Sequence, residues 1–213
     1  MKKLIALSCS PSKGKNSDSM LEAFLEGCSL VSGIEVEKFY LNDIPFDLYR
    51  YEISTGPQDN EPEFKNLLDK IQNSQALVIS TPTYNFSVPA QLKNFVDRIG
   101  FMSLDYSKRN KIDQPMGKLG YLRTYFLVSG GTPRWAEVIL FFAFPSFWLR
   151  GVFLYYGAEV MGAYYSGDLQ TYANKIILQK CKKRGLRFAK GLMAGKRRGI
   201  LERLFFRPPQ KNS

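Results

Sequence analysis

The chain contains no histidine, and that absence removes much of the usual catalytic chemistry. Ser-His-Asp and Cys-His catalysis both need an imidazole base, and imidazole is the commonest protein ligand for transition metals. Cysteine is scarce as well: Cys9, Cys28 and Cys181 form neither a CxxC pair nor an even set. That argues against structural disulfides and against cysteine-ligated zinc or iron–sulfur centres. No G-x-G-x-x-G occurs, so a Rossmann-type dinucleotide fingerprint is missing. Long apolar runs are few. "VILFFAFPSFWLRGVFLYY" at 138–156 approaches bilayer length, but Pro145, Arg150 and Gly151 interrupt it. It reads as a helix and connector buried in the core or in a dimer interface. The opening "MKKLIALSCS" gives way to "PSKGKNSD" where a signal peptide would stay apolar, so it reads as a first strand in a cytoplasmic protein. Chemistry on such a chain falls to a bound cofactor.

What is present suits one globular domain: 213 residues, 45% hydrophobic and 14% aromatic, without repeats. The net charge of +11 is unevenly placed. Residues 180–213 hold twelve of the 30 Lys/Arg and one of the 19 Asp/Glu, which leaves 18 of each sign in 1–179. A neutral domain over 1–179 is thus followed by a basic segment over 180–213.

Short continuous apolar runs alternate with helical patterns along the chain. Strands are expected at 3–8, 34–40, 76–80, 119–128 and 157–165. Helices are expected from Asp18 to Leu30, over 62–73 and 89–100, from Pro133 onward and from near Asp168. The polar stretch "DYSKRNKIDQPM" reads as a mobile connection. Repeated βα units with fully apolar strands imply a parallel sheet covered on both faces. Ligands in such sheets bind at the carboxyl ends of the strands, so the loops after the first, third and fourth strands are the ones to read.

The first loop, "SCSPSKGKNSDSM" (8–20), is crowded with hydroxyls just before a helix. A helix N-terminus offers unpaired N–H groups and partial positive charge to a phosphate. Ser10, Ser12, Ser17 and Ser19 add donors, Asn16 an amide and Lys13 a charge; the alternative is a plain serine-rich turn capped by Ser17 or Asp18. "CSPSKGKN" overlays G-x-x-x-x-G-K-[ST] only with Cys9 for the first glycine and Asn16 for the hydroxyl, which disfavours nucleotide hydrolysis. In the third loop, Pro82 and Pro89 bracket "TYNFSV" and limit its freedom. Thr83, Tyr84, Asn85 and Phe86 suit a flat ligand, or Tyr84 and Phe86 pack under the next helix. The fourth loop, Ser129-Gly130-Gly131, brings backbone amides toward a ligand edge or makes a tight turn.

Together these loops resemble the flavodoxin-like NAD(P)H-dependent FMN reductase and quinone reductase family. "PTYNFSVPAQLKNFVDR" stands where that family has Pro-x-Tyr-Asn followed by a Pro-Ala-x-Leu-Lys-Asn helix. "SPSKGKNS" is similar to its Ser-Pro-Arg…Gly-Asn-Thr phosphate loop, with Ser10, Asn16 and Ser17 in matching places. Ser12 stands for the arginine, Lys15 and Cys9 for glycines, and Lys13 is the expected replacement charge. The resemblance implies a doubly wound α/β sheet of five parallel strands, order 2-1-3-4-5. It implies FMN with its phosphate in the first loop and its ring between the third and fourth. NAD(P)H is then the hydride donor, and a quinone, azo compound, flavin or metal ion the acceptor. Amides at 85 and 129–131 are the expected donors to the reduced ring. Tyr84 is a candidate for the acceptor pocket, and a homodimer or homotetramer is the family's common assembly.

The basic segment interleaves Leu186, Phe188, Leu192, Met193 and further apolar residues with its Lys and Arg. It suits an anionic membrane surface, an acidic redox partner, or a solvated last helix; no nucleic-acid motif accompanies it. The competing readings of the whole are a flavodoxin-like electron carrier without NAD(P)H activity and a membrane-surface module without cofactor.

Overall fold

The computed structural model describes residues 1–53, 56–109, 113–141 and 144–195. Five parallel strands form the central sheet: β1 (Lys2–Ser8), β2 (Ile34–Tyr40), β3 (Ala76–Pro82), β6 (Arg123–Ser129) and β7 (Glu159–Ser166). Their order is β2-β1-β3-β6-β7, the expected 2-1-3-4-5 once a separate hairpin is set aside. That hairpin pairs β4 (Leu104–Arg109) with β5 (Pro115–Gly117), antiparallel. It occupies the polar stretch expected to be a mobile connection. Its alternation is masked because most of β4 faces solvent, leaving Leu104 as the strand's one buried residue.

Each central strand splits its side chains between two cores, as period-two geometry requires. Ile5, Leu7, Leu77, Ile79, Phe126 and Val128 face one side. Leu4, Ala6, Ala76, Val78, Tyr125 and Leu127 face the other. The first side is covered by α2 (Pro62–Gln72), α3 (Ala90–Arg98) and α6 (Phe144–Tyr155), through Phe64, Leu67, Leu92, Phe95, Leu149 and Phe153. The short α4 (Gly100–Ser103) continues from α3, and α5 (Arg134–Phe141) precedes α6. The second side is covered by α1 (Asn16–Ser29) and α7 (Lys175–Met193).

The last helix starts at Lys175, not near Asp168. Asn174 supplies the cap, its side-chain oxygen accepting from the N–H of Ile176 and Ile177 at 3.1 and 3.2 Å. Asp168 instead accepts from Asn174 Nδ2 at 2.6 Å, which holds 168–174 as a turn. The helix runs without a break through residue 180, where the basic segment begins. Cys181, Phe188, Ala189 and Leu192 are buried against the sheet, so Phe188 and Leu192 are closed to a lipid surface. Of the remaining basic segment, 196–213 lies outside the described residues.

Two glycines let α7 lie directly on α1. A Cβ at Gly27 would stand 1.9 Å from the Lys182 carbonyl oxygen, and one at Gly185 would stand 1.9 Å from that of Phe24. The interrupted apolar segment is divided in use: Leu149 and Phe153 are buried, whereas Val138, Ile139 and Phe147 are exposed. No helix among the described residues is long and apolar enough to cross a membrane.

The backbone contact between α1 and α7 leaves no room for a methyl group. Gly185→Ala is expected to lower stability by about 1–3 kcal/mol, the usual cost of overpacking, read as an earlier midpoint in urea. A midpoint equal to wild type would show that the two helices do not meet as described.

Candidate functional site

Parallel pairing brings the carboxyl ends of the strands to one edge. Ser8 is level with Ser80, Pro82 with Ser129, and Ser129 with Ser166. A cavity of about 330 Å³ opens there. The first loop contributes Ser10, Ser12, Lys15, Asn16 and Ser17 to its wall. The third contributes Pro82, Thr83 and Tyr84, and the fourth Ser129, Gly130 and Gly131. Leu169 and Tyr172, from the turn after β7, complete it. The loops expected to cooperate therefore share one cavity.

The first loop is organised by Asp18, whose side chain is buried in the first turn of α1. Its carboxylate accepts from the Gly14 N–H at 2.7 Å, the Ser8 hydroxyl at 3.0 Å and Lys38 Nζ at 2.7 Å. Burial pushes its pKa up, but the Lys38 ammonium, the Gly14 amide and the Ser8 hydroxyl outweigh that and hold it low. Lys38 also reaches Glu22 and Tyr40. From the sheet, the Ser80 hydroxyl donates to the Ser17 carbonyl, fixing the helix start against β3. The helix begins after Lys15, which has no side-chain capping bond, so neither Ser17 nor Asp18 is the cap.

Charge at this loop comes from Lys15. Its ammonium lies 5.4 Å from the centre of the Tyr172 ring, on the cavity wall. Lys13, the expected replacement for the missing arginine, turns away and pairs with Asp43 at 2.5 Å. Asn16 lines the cavity, yet its amide bridges outward: Nδ2 donates to the Leu169 carbonyl at 3.0 Å, and Oδ1 accepts from the Tyr172 N–H at 3.1 Å. Ser19 points back to the Gly14 carbonyl at 3.1 Å and is not on the wall. Cys9 is buried in the core, and burial raises its thiol pKa far above the usual range. Ser17 Oγ and Thr83 Oγ1 are buried on the wall, and neither has a hydrogen-bond partner among the described residues.

The third loop holds a tight reversal. Tyr84 and Ser87 exchange both backbone hydrogen bonds at 2.9 Å, with Asn85 and Phe86 at φ 49° and 62°. Two successive positive φ values define a type I′ turn, and for Phe this conformation costs about 1–2 kcal/mol. Tyr84 and Phe86 are both nearly half exposed, so neither packs under α3 as a core residue. Tyr84 reaches the cavity; Asn85 and Phe86 stand at the turn's tip beyond its wall. Thr83 N–H donates to the Ser129 carbonyl at 2.7 Å, joining third and fourth loops. In the fourth loop the Gly130 N–H donates to the Ser166 carbonyl at 2.8 Å, so it belongs to the sheet and not to a ligand. Gly130 is small for a second reason: a Cβ would meet the Tyr165 hydroxyl at 2.4 Å.

The polar residues of the motif helix serve the neighbouring loop. Asn94 accepts from the Tyr49 N–H at 2.7 Å and donates to the Asp47 carbonyl at 3.0 Å. Arg98, one turn on and fully buried, forks onto Glu61 at 2.8 and 2.5 Å and also reaches the Asp47 carbonyl. Burial raises the Glu61 pKa, but Arg98 and the N–H groups of Gln58 and Asp47 bring it down to about 2.

Lys15, Leu169 and Tyr172 escaped the sequence reading. The turn after β7 was legible in principle, since a fifth parallel strand ends at the same edge as the other four. Lys15 was legible only through its place directly before a helix start.

A doubly wound parallel sheet with hydroxyl donors at a helix start on its strand-end edge is the arrangement of a phosphate- or nucleotide-binding class of protein. The comparisons agree. A model of the NADPH-dependent FMN reductase family matches residues 2–132, and the chain belongs to that family. Among relatives, an FMN-dependent NADH:quinone oxidoreductase of Metamycoplasma arthritidis is 29% identical over 75% of this chain and 83% of its own. One of Erythrobacter litoralis is 33% identical over 51% of this chain and 57% of its own. The structure of an FMN-dependent NADH-azoreductase from Bacillus anthracis, solved with FMN, superposes with a TM-score of 0.69 at 16% identity. That alignment covers 90% of this chain and 99% of the azoreductase. The fold is flavodoxin-like, and the protein is an FMN-dependent NAD(P)H oxidoreductase. The residues present fit the cofactor, because Ser17 Oγ and Thr83 Oγ1 are orphaned hydroxyls on the cavity wall, donors of the kind phosphate and ring oxygens accept.

The Glu61–Arg98 pair sets an acid limit on this architecture. Because the folded pKa of Glu61 lies near 2, below the 4.5 of an unperturbed glutamate, its contribution is complete above pH 4.5 and is lost as pH falls toward 2. Glu61→Gln is expected to cost about 3–5 kcal/mol at neutral pH by leaving a buried guanidinium unpaired. Its urea midpoint should then change less between pH 5 and pH 3 than that of wild type, and parallel pH profiles would contradict the pairing.

Proposed function

We propose that the chain reduces quinones or azo compounds, using FMN held at the strand-end cavity and NAD(P)H as reductant. The observation that carries this reading is the meeting of Ser10, Ser17, Thr83, Tyr84 and Gly131 around one cavity with orphaned hydroxyls in its wall. Bound FMN would supply the hydride-accepting ring, which no protein side chain provides. The chain's part is to bind and orient. The first-turn N–H groups of α1, the Ser12 and Ser17 hydroxyls and the Lys15 ammonium favour a phosphate at the helix start, while Ser10 shapes the loop by donating its hydroxyl to the Ser12 carbonyl at 3.0 Å. The Thr83 hydroxyl and the Gly131 N–H offer donors to the polar edge of a flat ring, whereas the Thr83 and Tyr84 N–H groups are taken by the Ser129 and Ser87 carbonyls. Tyr84, half exposed, shapes the side from which a second reactant enters. Asn16 holds the cavity's far wall by tying α1 to the turn after β7. The relatives named above as NADH:quinone oxidoreductases and the azoreductase support these acceptor classes.

The protein is proposed to act in the cytoplasm as a homodimer or homotetramer. Support for self-association comes from the exposed apolar side chains of Trp135, Val138, Ile139 and Phe147 on α5 and α6. A peripheral contact with an anionic membrane or an acidic redox partner is proposed for the basic segment. It is supported by Lys180, Lys183, Arg187 and Lys190, which stand exposed along α7. The apolar residues that segment shares with the core make residue 195, rather than 180, the place to cut it.

Purified protein should be yellow and should bleach when NADH or NADPH is added without oxygen. A carrier without nicotinamide activity would bind FMN yet stay coloured, and colourless protein without FMN affinity would overturn the site. Ser17→Ala is expected to weaken FMN binding by roughly tenfold or more, one charge-assisted hydrogen bond being worth about 1.5–3 kcal/mol. Fluorescence titration of FMN checks this.

Removal of residues 196–213 is expected to reduce sedimentation with anionic vesicles. Equal sedimentation of both forms would contradict a membrane role for the tail.

A further inference from the structure

The face of α7 remote from the strand-end cavity carries charge that the fold does not use. Lys180, Lys183, Arg187 and Lys190 are exposed at helical spacing, and Arg184 stands beside them, half-buried. Among the described residues, none of these five has a carboxylate within ion-pair distance, whereas Lys182 on the next face pairs with Glu26 at 3.2 Å. Unpaired like charges one turn apart repel and destabilise a helix, so five together are a cost without an anion to offset them.

Two of the five reach a cavity. Between α7 and the edge strand β7 lies a space of about 240 Å³, with Arg184 and Arg187 on its wall beside Tyr125, Gly162 and Phe188. The space exists because the pairing of β6 and β7 shifts register after Thr124 and passes through Gly162 at φ +157°. A Cβ there would approach the Tyr125 ring to 2.8 Å. The Arg184 guanidinium lies 4.4 Å from the centre of the Tyr164 ring, and its one hydrogen bond among the described residues runs from Nη1 to the Tyr125 hydroxyl at 3.4 Å. Its other N–H groups, and all those of Arg187, have no protein acceptor among the described residues. A guanidinium held in place by an aromatic face, with its donor edge open, is prepared for a planar or tetrahedral oxyanion.

We propose that Arg184 and Arg187 form a binding site for a phosphate-class anion, carried either by a soluble phosphate compound or by the headgroup of an acidic phospholipid. Two forked donors match the several oxygens of one phosphate, and the surrounding stripe of Lys180, Lys183 and Lys190 raises the local concentration of anions. Tyr125, Met161 and Phe188 give the same cavity an apolar wall for the carbon portion of the ligand. The site shares no residue with the strand-end cavity, so it stands independently of the flavin reading.

The test uses full-length protein saturated with FMN, so that any phosphate site at the first loop is filled. Inorganic phosphate is titrated by calorimetry. Vesicles of phosphatidylcholine, with and without phosphatidic acid, are sedimented with the protein. The variants are R184Q/R187Q, the single R187Q at an exposed side chain, and K180Q/K183Q, which removes the same charge from the same helix outside the cavity. Binding is expected to weaken about tenfold or more in R184Q/R187Q and by a smaller factor in R187Q, while K180Q/K183Q stays within about threefold of wild type. Phosphate binding with that pattern supports the site and assigns a soluble ligand; the same pattern with phosphatidic acid vesicles alone supports it and assigns a lipid headgroup. Failure of both probes to bind, or an equal loss in K180Q/K183Q, overturns the proposal. If R184Q/R187Q does not fold, R187Q against K180Q/K183Q decides.

Discussion

The strand-end site depends on one buried carboxylate. Asp18 has to stay ionised in a place where burial opposes charge, and it does so because a loop amide, a strand hydroxyl and Lys38 from β2 all converge on it. Those three partners come from three different elements. Holding the charge therefore fixes the loop, the strand and the helix start with respect to one another. An anion so close to a helix N-terminus is favourable in its own right. Here it holds the first turn in place while the buried Ser17 hydroxyl has no partner among the described residues. A preorganised donor of this sort loses little entropy when an acceptor arrives.

The same helix is constrained at its other end by glycine. Gly27 and Gly185 let α1 and α7 touch backbone to backbone, so α7 covers one face of the sheet although it is rich in lysine and arginine. Its composition reflects two surfaces at once. The face with Cys181, Phe188 and Leu192 completes the core, and the opposite face leaves its cations to solvent or to an anion. A linear tally of charge from residue 180 onward merges these two surfaces into one basic tail.

The motif 82–98 likewise divides its labour. Its first half is a strained reversal that keeps Tyr84 and Phe86 partly exposed at the strand ends. Its second half is a helix whose Asn94 and Arg98 have no part in the cavity and instead clamp the loop between β2 and α2. A conformation as unfavourable as a left-handed Phe persists only where the surroundings impose it. The exchanged hydrogen bonds of Tyr84 and Ser87 are that imposition.

The class of fold and the strand-end loops that line the cavity were legible in local pattern. Short continuous apolar strands alternating with helical patterns point to a covered parallel sheet. Ser10, Ser17, Thr83, Tyr84 and Gly131 were legible because local composition and loop position both point to them. Which lysine faces the cavity was set by long-range packing. Lys13 and Lys15 are two residues apart and chemically identical, yet Asp43 draws one away while Tyr172, from a turn more than 150 residues distant, lies under the other. Long-range packing also decided that the Gly130 amide belongs to β7, that Asn16 ties two loops together, and that half of the basic helix is core. Each of these turns on a partner remote in sequence, and local pattern carries no information about which distant group will stand opposite.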